Sequence, residues 1–220
     1  MRDPRRVHRP AVPHRPVLTL CAALCGIVLA LPPAATARAA GPVLIAEPTV
    51  AIGRANHAGY ARRRHCTMFA VAPRVAVTAT HCIAGLDPTR MHLLFGYAGM
   101  AWKHHTSPAS ARDLGRDVAV LCLSEDAPAT LTVAPGTLAR GAGVSVVGYG
   151  RPRRHAQSAT ACTVSAVMEG EILLDCPQSE GASGGPVLDG TGAVVAVMSR
   201  SGRGSSVAGL IRPRIADACP

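Results

Sequence analysis

Short runs of apolar or alternating residues, separated by turn residues, are the feature that most limits how this chain can fold. Ten such runs are present, at Cys66–Val71, Arg74–Ala79, Met91–Phe95, Val118–Leu123, Val144–Tyr149, Cys162–Val167, Glu171–Leu174, Pro186–Leu188, Val194–Met198 and Ser206–Ile211. Turn residues separate them, as at Asp87-Pro88 and Asp189-Gly190. A helical period is hinted at only after Pro213. The pattern predicts an all-β fold, an antiparallel barrel or sandwich rather than a parallel α/β sheet.

The first 40 residues have the order of a secretory signal peptide. Five arginines lie within residues 1–16, fifteen apolar residues follow at Val17–Leu31, and a small-residue segment ends at Ala37-Arg38-Ala39. Because a membrane-spanning helix needs about 20 apolar residues, this run is short for an anchor. We therefore predict a signal peptide at residues 1–40, a secreted or periplasmic protein and no stable membrane insertion. An uncleaved anchor is the alternative.

Removal of this segment would change the charge of the protein. Residues 1–40 hold six of the 23 basic and one of the 13 acidic residues, so 17 and 12 remain and the net charge falls from +10 to +5. The arginine clusters at 62–64 and 151–154 are not interleaved with aromatic residues, as binding of single-stranded nucleic acid would require. We expect no nucleic-acid partner. Weak docking of these arginines to an anionic surface is the alternative.

Six cysteines follow the predicted signal peptide, at positions 66, 82, 122, 162, 176 and 219. An even number in a chain bound for an oxidising compartment predicts disulfides. A zinc site would need ligand pairs such as CxxC or HxxxH, which these residues do not form. We expect no metal and no cofactor.

The segment Glu180–Val187, with the sequence EGASGGPV, has the residues of a nucleophilic serine site. A serine hydroxyl is a poor nucleophile that needs a neighbouring base and stabilisation of the oxyanion formed on attack. Flanking glycines let the backbone turn so that N–H groups converge, and those of Gly181 and Ser183 would form an oxyanion hole. A glycine-rich turn with an incidental serine is the alternative.

Two further segments favour the catalytic interpretation. TATHC places His81 at the end of an apolar strand, and GRDVAVL places Asp117 at the start of another. Taken singly, such residues are usually turn residues with local hydrogen bonds. Asp113 lacks the apolar strand that follows Asp117, so we interpret it as a loop residue. Three such segments together predict a catalytic triad of His81, Asp117 and Ser183.

The order of these residues along the chain discriminates between hydrolase folds. Residues 181–185 match GxSxG, the nucleophile elbow of α/β-hydrolases, but that fold requires a histidine after the serine. No histidine follows His155. The subtilisin arrangement begins with the aspartate and fits a strand-rich chain poorly. Only the order His, Asp, Ser of chymotrypsin remains.

TATHC, GRDVAVL and GASGGP resemble the three signature segments of trypsin-like serine proteases. The resemblance implies two six-stranded antiparallel β-barrels of the chymotrypsin type, with the active site in the cleft between them. The implied domains are an N-terminal barrel at 41–125, a connector at 126–143, and a C-terminal barrel and tail at 144–220. By match to the motifs, His81 is general base and then acid, Asp117 orients it, and Ser183 attacks.

The resemblance also suggests disulfide pairings. Cys66 and Cys82 correspond to the disulfide of the family's histidine loop, and Cys162 and Cys176 bracket a hairpin before the serine segment. Cys122 and Cys219 pair by elimination.

The sequence departs from trypsin itself at two positions. Ala182 stands where relatives activated by N-terminal cleavage carry an aspartate, and Pro177 stands where trypsin has an acidic residue. We therefore expect neither that activation nor a preference for Lys or Arg, as in the compact bacterial members of the family. By analogy the substrate pocket would involve Gln178, Ser199, Arg200 and Ser201. Arg200 could favour an acidic substrate side chain, with a solvated arginine as the alternative.

The function predicted from these residues is that of a monomeric serine endopeptidase acting on a peptide or protein substrate. One alternative is a non-catalytic protease homologue that acts as a binding module. Another is an esterase that uses the same triad, because acyl transfer does not itself demand an amide.

Overall fold

A computed structural model describes residues 41–57, 65–134 and 138–220. The predicted signal peptide and the arginines at 62–64 lie outside the described residues. None of the helices in the described ranges is long and apolar enough to cross a membrane.

The described residues form fourteen β-strands. In chain order they are β1 (Val43–Leu44), β2 (Ile52–His57), β3 (His65–Ala72), β4 (Val75–Ala79), β5 (Met91–Phe95), β6 (His104–Thr106), β7 (Pro108–Asp113), β8 (Val118–Leu123), β9 (Gly143–Gly148), β10 (Ser158–Met168), β11 (Glu171–Leu174), β12 (Pro186–Leu188), β13 (Val194–Ser201) and β14 (Ser206–Leu210). The same described ranges contain three short 3₁₀ helices, at Thr80–Cys82, Pro88–Arg90 and Pro213–Asp217. The all-β prediction is confirmed.

The C-terminal strands form a closed six-stranded barrel. Its strand order is β10-β11-β14-β13-β12-β9, and β9 pairs with β10 to close the ring, all in antiparallel fashion. Strand β1 pairs with the first two residues of β10, ahead of the part of β10 that pairs with β11. Side chains that alternate along the strands, such as Ile172 and Leu174 of β11, are fully buried in its interior.

The N-terminal strands form a curled, open sheet of seven strands in the order β6-β5-β2-β3-β4-β8-β7. Its two edge strands, β6 and β7, are separated in the chain by Ser107 alone. The sheet must therefore curl until its edges come close. If β6 and β7 are counted as one bent strand, the sheet has the six strands predicted for it. The chymotrypsin-type architecture is confirmed, with a closed second barrel and a half-barrel in place of the first.

An apolar core shared by the two sheets positions the loops that carry the candidate site. Phe69 and Val77 of the first sheet pack in one cluster with Val147 and Val197 of the second. The chain between β8 and β9 also joins them, because Leu131 donates to the Ala70 carbonyl while residues 132 and 134 bond Val194. The domain boundaries 41–125, 126–143 and 144–220 stay predictions.

Within the described residues three disulfides are present, joining Cys66 to Cys82, Cys122 to Cys219 and Cys162 to Cys176. All three predicted pairings are confirmed. The Cys122–Cys219 disulfide links strand β8 of the first sheet to the residues that follow the last 3₁₀ helix.

Replacing Cys122 and Cys219 together by serine is expected to lower the free energy of unfolding by about 4–5 kcal/mol. The physical reason is that this disulfide joins residues 97 apart and so restricts the unfolded chain strongly. The matched double replacement of Cys162 and Cys176, which are 14 residues apart, is expected to cost about 3 kcal/mol. Urea unfolding measures both. A smaller loss for the first pair would contradict the expectation.

Candidate active site

His81 lies in the 3₁₀ turn that follows strand β4 and is held by Asp117 at two points. The backbone N–H of His81 donates to Oδ1 of Asp117 at 2.9 Å, and Nδ1 of its ring lies 2.8 Å from Oδ2. A carboxylate only accepts hydrogen bonds, so Nδ1 carries the hydrogen. In the neutral ring the other nitrogen, Nε2, is then the acceptor. This tautomer is the one that a general base requires.

Asp117 lies in a tight turn between β7 and β8. Gly115, Arg116 and Asp117 have φ angles of 83°, 54° and 58°, a left-handed backbone that residues other than glycine rarely adopt. Oδ1 of Asp113 accepts from the Gly115 amide at 2.8 Å and from the Thr80 hydroxyl at 2.7 Å. Asp113 thus stabilises the turn that presents Asp117 and ties it to the residue before His81.

The carboxyl group of Asp117 is charged in this environment. Burial by itself raises its pKa. Hydrogen bonds from the Ser199 hydroxyl and from the backbone and ring of His81 outweigh burial, so the pKa of Asp117 lies below its ordinary value. A carboxylate that stays ionised can keep the His81 ring in one orientation across the neutral pH range.

Ser199 has a role that the sequence does not reveal. The pairing of β13 with β14 shifts by one residue between Met198 and Arg200, which makes Ser199 the extra residue of a β-bulge. Bulges redirect side chains, and here the buried Ser199 hydroxyl donates to Oδ2 of Asp117 at 2.5 Å. A small polar residue at the end of an apolar strand is the one signal of this contact in the sequence.

Ser183 faces the same cleft as His81, on a loop held by both sheets. The Ser183 carbonyl accepts from the Thr67 amide of β3 at 2.8 Å, and the Gly184 amide donates to the Met198 carbonyl of β13 at 2.7 Å. The Ser183 hydroxyl itself donates to the carbonyl of Ser199 at 3.2 Å. The structure thus hydrogen-bonds His81 to Asp117 and brings Ser183 to the same cleft, with its hydroxyl turned toward Ser199.

Gly181 occupies a position that only glycine fits. Its φ is +99°, and a Cβ placed on it would lie 2.4 Å from Nε2 of His65 and 2.6 Å from the Tyr149 carbonyl oxygen. In the described part of the chain, the amide N–H groups of Gly181 and Ser183 have no acceptor. These two groups are available as the predicted oxyanion donors.

His65 is a second feature that sequence reasoning missed, although it directly precedes Cys66. Its Nε2 lies 2.8 Å from the Tyr149 carbonyl, which can only accept, so this nitrogen carries the hydrogen. Burial lowers the pKa of His65 to about 4. The ring is therefore neutral at pH 7, and it packs directly against the Gly181 backbone.

Acid is expected to destabilise the protein through His65. Because the pKa of about 4 in the folded protein lies below the ordinary value of 6.5, the unfolded chain binds the proton first, and stability is lost as the pH falls from 6.5 toward 4. Comparing urea unfolding at pH 7 and pH 4.5, we expect His65→Gln to remove roughly 1–2 kcal/mol of this loss, after discounting for the ring's partial exposure. Equal pH dependence of the two proteins would contradict this.

A cleft of about 400 Å³ contains His81, Ser183 and Gly181. The Cys66–Cys82 disulfide, Leu86 and Met91 provide apolar surface in it. Cys66, His81 and Cys82 lie close enough together to suggest a metal site, but both sulfurs are bonded to each other. A disulfide sulfur is not a thiolate ligand.

The residues predicted for the substrate pocket already have hydrogen-bond partners within the protein. The backbone N–H of Gln178 donates to the Ser201 hydroxyl at 2.9 Å. This bond joins the two segments predicted as pocket walls. Arg200 pairs with Glu171 through two contacts of 3.0 and 3.3 Å, and these hydrogen bonds raise the pKa of Arg200. The charge of Arg200 is therefore matched by a residue of the protein itself.

Comparison with known proteins gives both a family and a fold. Residues 66–197 match the family described as the trypsin-like peptidase domain. Human heparin binding protein is similar in structure with a TM-score of 0.67 and 16% sequence identity, covering 81% of this chain and 93% of that one. The VesB protease of Vibrio cholerae has a TM-score of 0.61 and 14% identity, covering 74% of this chain and 60% of that one. No match was found among the curated proteins.

Proposed function

The chain belongs to the trypsin-like peptidase family, and we propose that it is a serine endopeptidase that cleaves peptide bonds through an acyl-enzyme intermediate. The observation that carries the proposal is the double contact between His81 and Asp117, at 2.8 and 2.9 Å, beside Ser183 in one cleft. The contact fixes the imidazole tautomer that can accept a proton from a serine hydroxyl.

The reaction would begin when the Ser183 hydroxyl turns from the Ser199 carbonyl toward Nε2 of His81. In unliganded enzymes such catalytic hydrogen bonds are often not yet formed. Oγ attacks the substrate carbonyl carbon while its proton passes to Nε2 of His81. The charge of Asp117 stabilises the imidazolium that results.

The tetrahedral intermediate would place its negative oxygen near the amides of Gly181 and Ser183. Donors fixed in advance at such a point stabilise charge that develops only in the transition state. His81 then gives its proton to the leaving amine, which breaks the peptide bond and leaves the acyl group on Ser183. Water attacks the ester by the same route in reverse, with His81 again as base.

The substrate would be a peptide or a protein, held partly by the apolar surface of the disulfide, Leu86 and Met91 in the catalytic cleft. Because Glu171 already matches the charge of Arg200, we do not propose that Arg200 selects acidic substrates. Three disulfides favour a secreted or periplasmic protein, since such bonds persist in oxidising compartments. We propose that the protein is a monomer without a nucleic-acid partner.

A binding module is the second candidate function. It is favoured by the orientation of the Ser183 hydroxyl toward Ser199, and by the similarity to a structure named for binding heparin. An esterase on the same triad is the third candidate.

One experiment separates the three candidates. The purified protein is incubated with a mixture of denatured peptides, and new peptide ends are identified by mass spectrometry beside a Ser183→Ala control. New ends that require Ser183 support the endopeptidase. Hydrolysis of p-nitrophenyl esters without any new peptide ends would indicate an esterase. Neither reaction by a folded wild type would indicate a binding module.

A further inference from the structure

A second cavity, of about 590 Å³, lies beside the turn that carries Asp117. Three segments of the chain line it, at residues 112–118, 169–170 and 210–218. None of its lining residues belongs to the catalytic cleft. Its volume is within the range of protein sites that bind small molecules and short peptides. The proposed catalytic reaction leaves this cavity unused.

The floor of the cavity is apolar. Val118, Leu210, Ile211 and Ile215 line it, of which Val118 and Ile215 are almost fully buried. Leu114 also lines the cavity, with 44% of its surface exposed to solvent. When a ligand side chain covers apolar surface of this kind, the free energy of the complex is lowered.

Four arginines from two distant parts of the sequence converge on the same cavity. They are Arg112, Arg116, Arg212 and Arg214, against two acidic lining residues, Glu169 and Asp217. Arg116 reaches Glu169 at 3.6 Å, but both side chains are largely exposed, and such pairs contribute little.

Among the described residues, the remaining arginines of the cavity have no carboxylate within 4.0 Å. Arg112 donates to the Ala218 carbonyl. In the described ranges, no carboxylate lies within 4.0 Å of Arg212 or Arg214. Elsewhere on the surface Arg74, Arg151 and Arg200 each have one, whereas Arg140 and Arg203 have none among the described residues. Around the apolar floor, three arginines therefore bring positive charge without a carboxylate partner.

We propose that this cavity is an exosite that binds an acidic peptide segment with bulky apolar side chains, in a protein substrate of the peptidase. The planar guanidinium groups suit carboxylates, which they can bind through two hydrogen bonds. The substrate's apolar side chains would cover Leu114 and the floor. The identification of the segment as part of a substrate rests on the proposed peptidase function, whereas the binding itself does not.

A peptide suits the cavity better than a sulfated polysaccharide. A polysaccharide would satisfy the arginines but would leave the apolar floor uncovered. An acidic peptide with apolar residues matches both surfaces. This difference gives the two ligand classes different responses to the same variants.

Binding is measured by fluorescence anisotropy on the purified Ser183→Ala protein, so that the result does not depend on cleavage. The probe is a fluorescein-labelled octapeptide that alternates Glu and Phe. We expect the double variant Arg212→Ser/Arg214→Ser to weaken binding by at least about tenfold. The matched pair Arg140→Ser/Arg203→Ser, which removes the same charge outside the cavity, is expected to change it less than about twofold.

Three further arms test the chemistry. An octapeptide of Gln and Phe and a sulfated hexasaccharide are both expected to bind at least about tenfold more weakly than the probe. Leu114→Ser is expected to weaken binding of the Glu-Phe probe but not binding of the hexasaccharide. Equal loss in the two arginine pairs, or tighter binding of the hexasaccharide, would overturn the proposal. Thermal unfolding checks that every variant folds, and failure to cleave peptides would leave the binding result standing.

Discussion

Replacing Ser183 by alanine is expected to lower kcat for peptide hydrolysis by about 10⁶-fold. The reason is that Oγ forms the covalent bond to the substrate in the proposed mechanism. Among the described residues that line the catalytic cleft, Ser183 alone carries a hydroxyl group. The loss should appear in kcat with little change in KM, because the substrate contacts of the cleft remain. Single-turnover and steady-state rates on one cleaved peptide give both quantities.

Two control measurements make this result specific. Ser110→Ala, at an exposed position of strand β7, is the matched control and is expected to keep full activity. The Ser183→Ala protein should also unfold at the same urea concentration as the wild type, within the error of the measurement. Activity retained in the Ser183→Ala protein would place the nucleophile elsewhere.

Replacing Asp117 by asparagine is expected to lower kcat by about 10⁴-fold while the fold is preserved. The carboxylate accepts from Nδ1 of His81 at 2.8 Å and so keeps the hydrogen on that nitrogen. An amide in its place can donate to Nδ1, which moves the hydrogen to Nε2. The ring then cannot take the proton of Ser183.

The control for this variant is Asp126→Asn, which removes an exposed carboxylate paired with Arg74. It is expected to keep full activity. The pH dependence of stability gives a second readout. Because the pKa of Asp117 is lowered in the folded protein, its contribution is present above the ordinary value near 3.8 and is lost as the pH falls through the lowered pKa. Asp117→Asn should remove this contribution to the pH dependence of the free energy of unfolding. An unchanged pH dependence at acid pH would contradict the assignment of a negative charge to Asp117.

Much of the fold could be predicted because its strands alternate between core and surface. All ten predicted strands correspond to strands of the structure, although their ends differ by a few residues at places such as β10. Of the four strands that were missed, β1 has only two residues, and β2, β6 and β7 carry polar residues. In β2, Arg54 is buried, with its charge bonded to Asn56 and to the Arg154 carbonyl, and β7 is an edge strand with an exposed face. Neither has the apolar periodicity that marks a strand in a sequence.

The candidate site divides in the same way. His81, Asp117 and Ser183 could be proposed as a triad because each lies within a recognisable segment, and the order of these segments excludes other hydrolase folds. Ser199 contacts Asp117 and His65 contacts Tyr149, and these partners are separated in the sequence by 82 and 84 positions. Those contacts depend on a bulge and on the packing of one sheet against the other, which local patterns do not encode.

The most direct test of the central claim is labelling of the purified protein with a fluorophosphonate probe, followed by mass spectrometry of the modified peptide. Such probes react with a serine only where a base and an oxyanion hole activate it. We predict stoichiometric labelling at Ser183, full labelling of Ser110→Ala and none of Ser183→Ala. A folded wild-type protein, with its three disulfides formed, that stays unlabelled or is labelled at another serine would contradict the assignment of the triad.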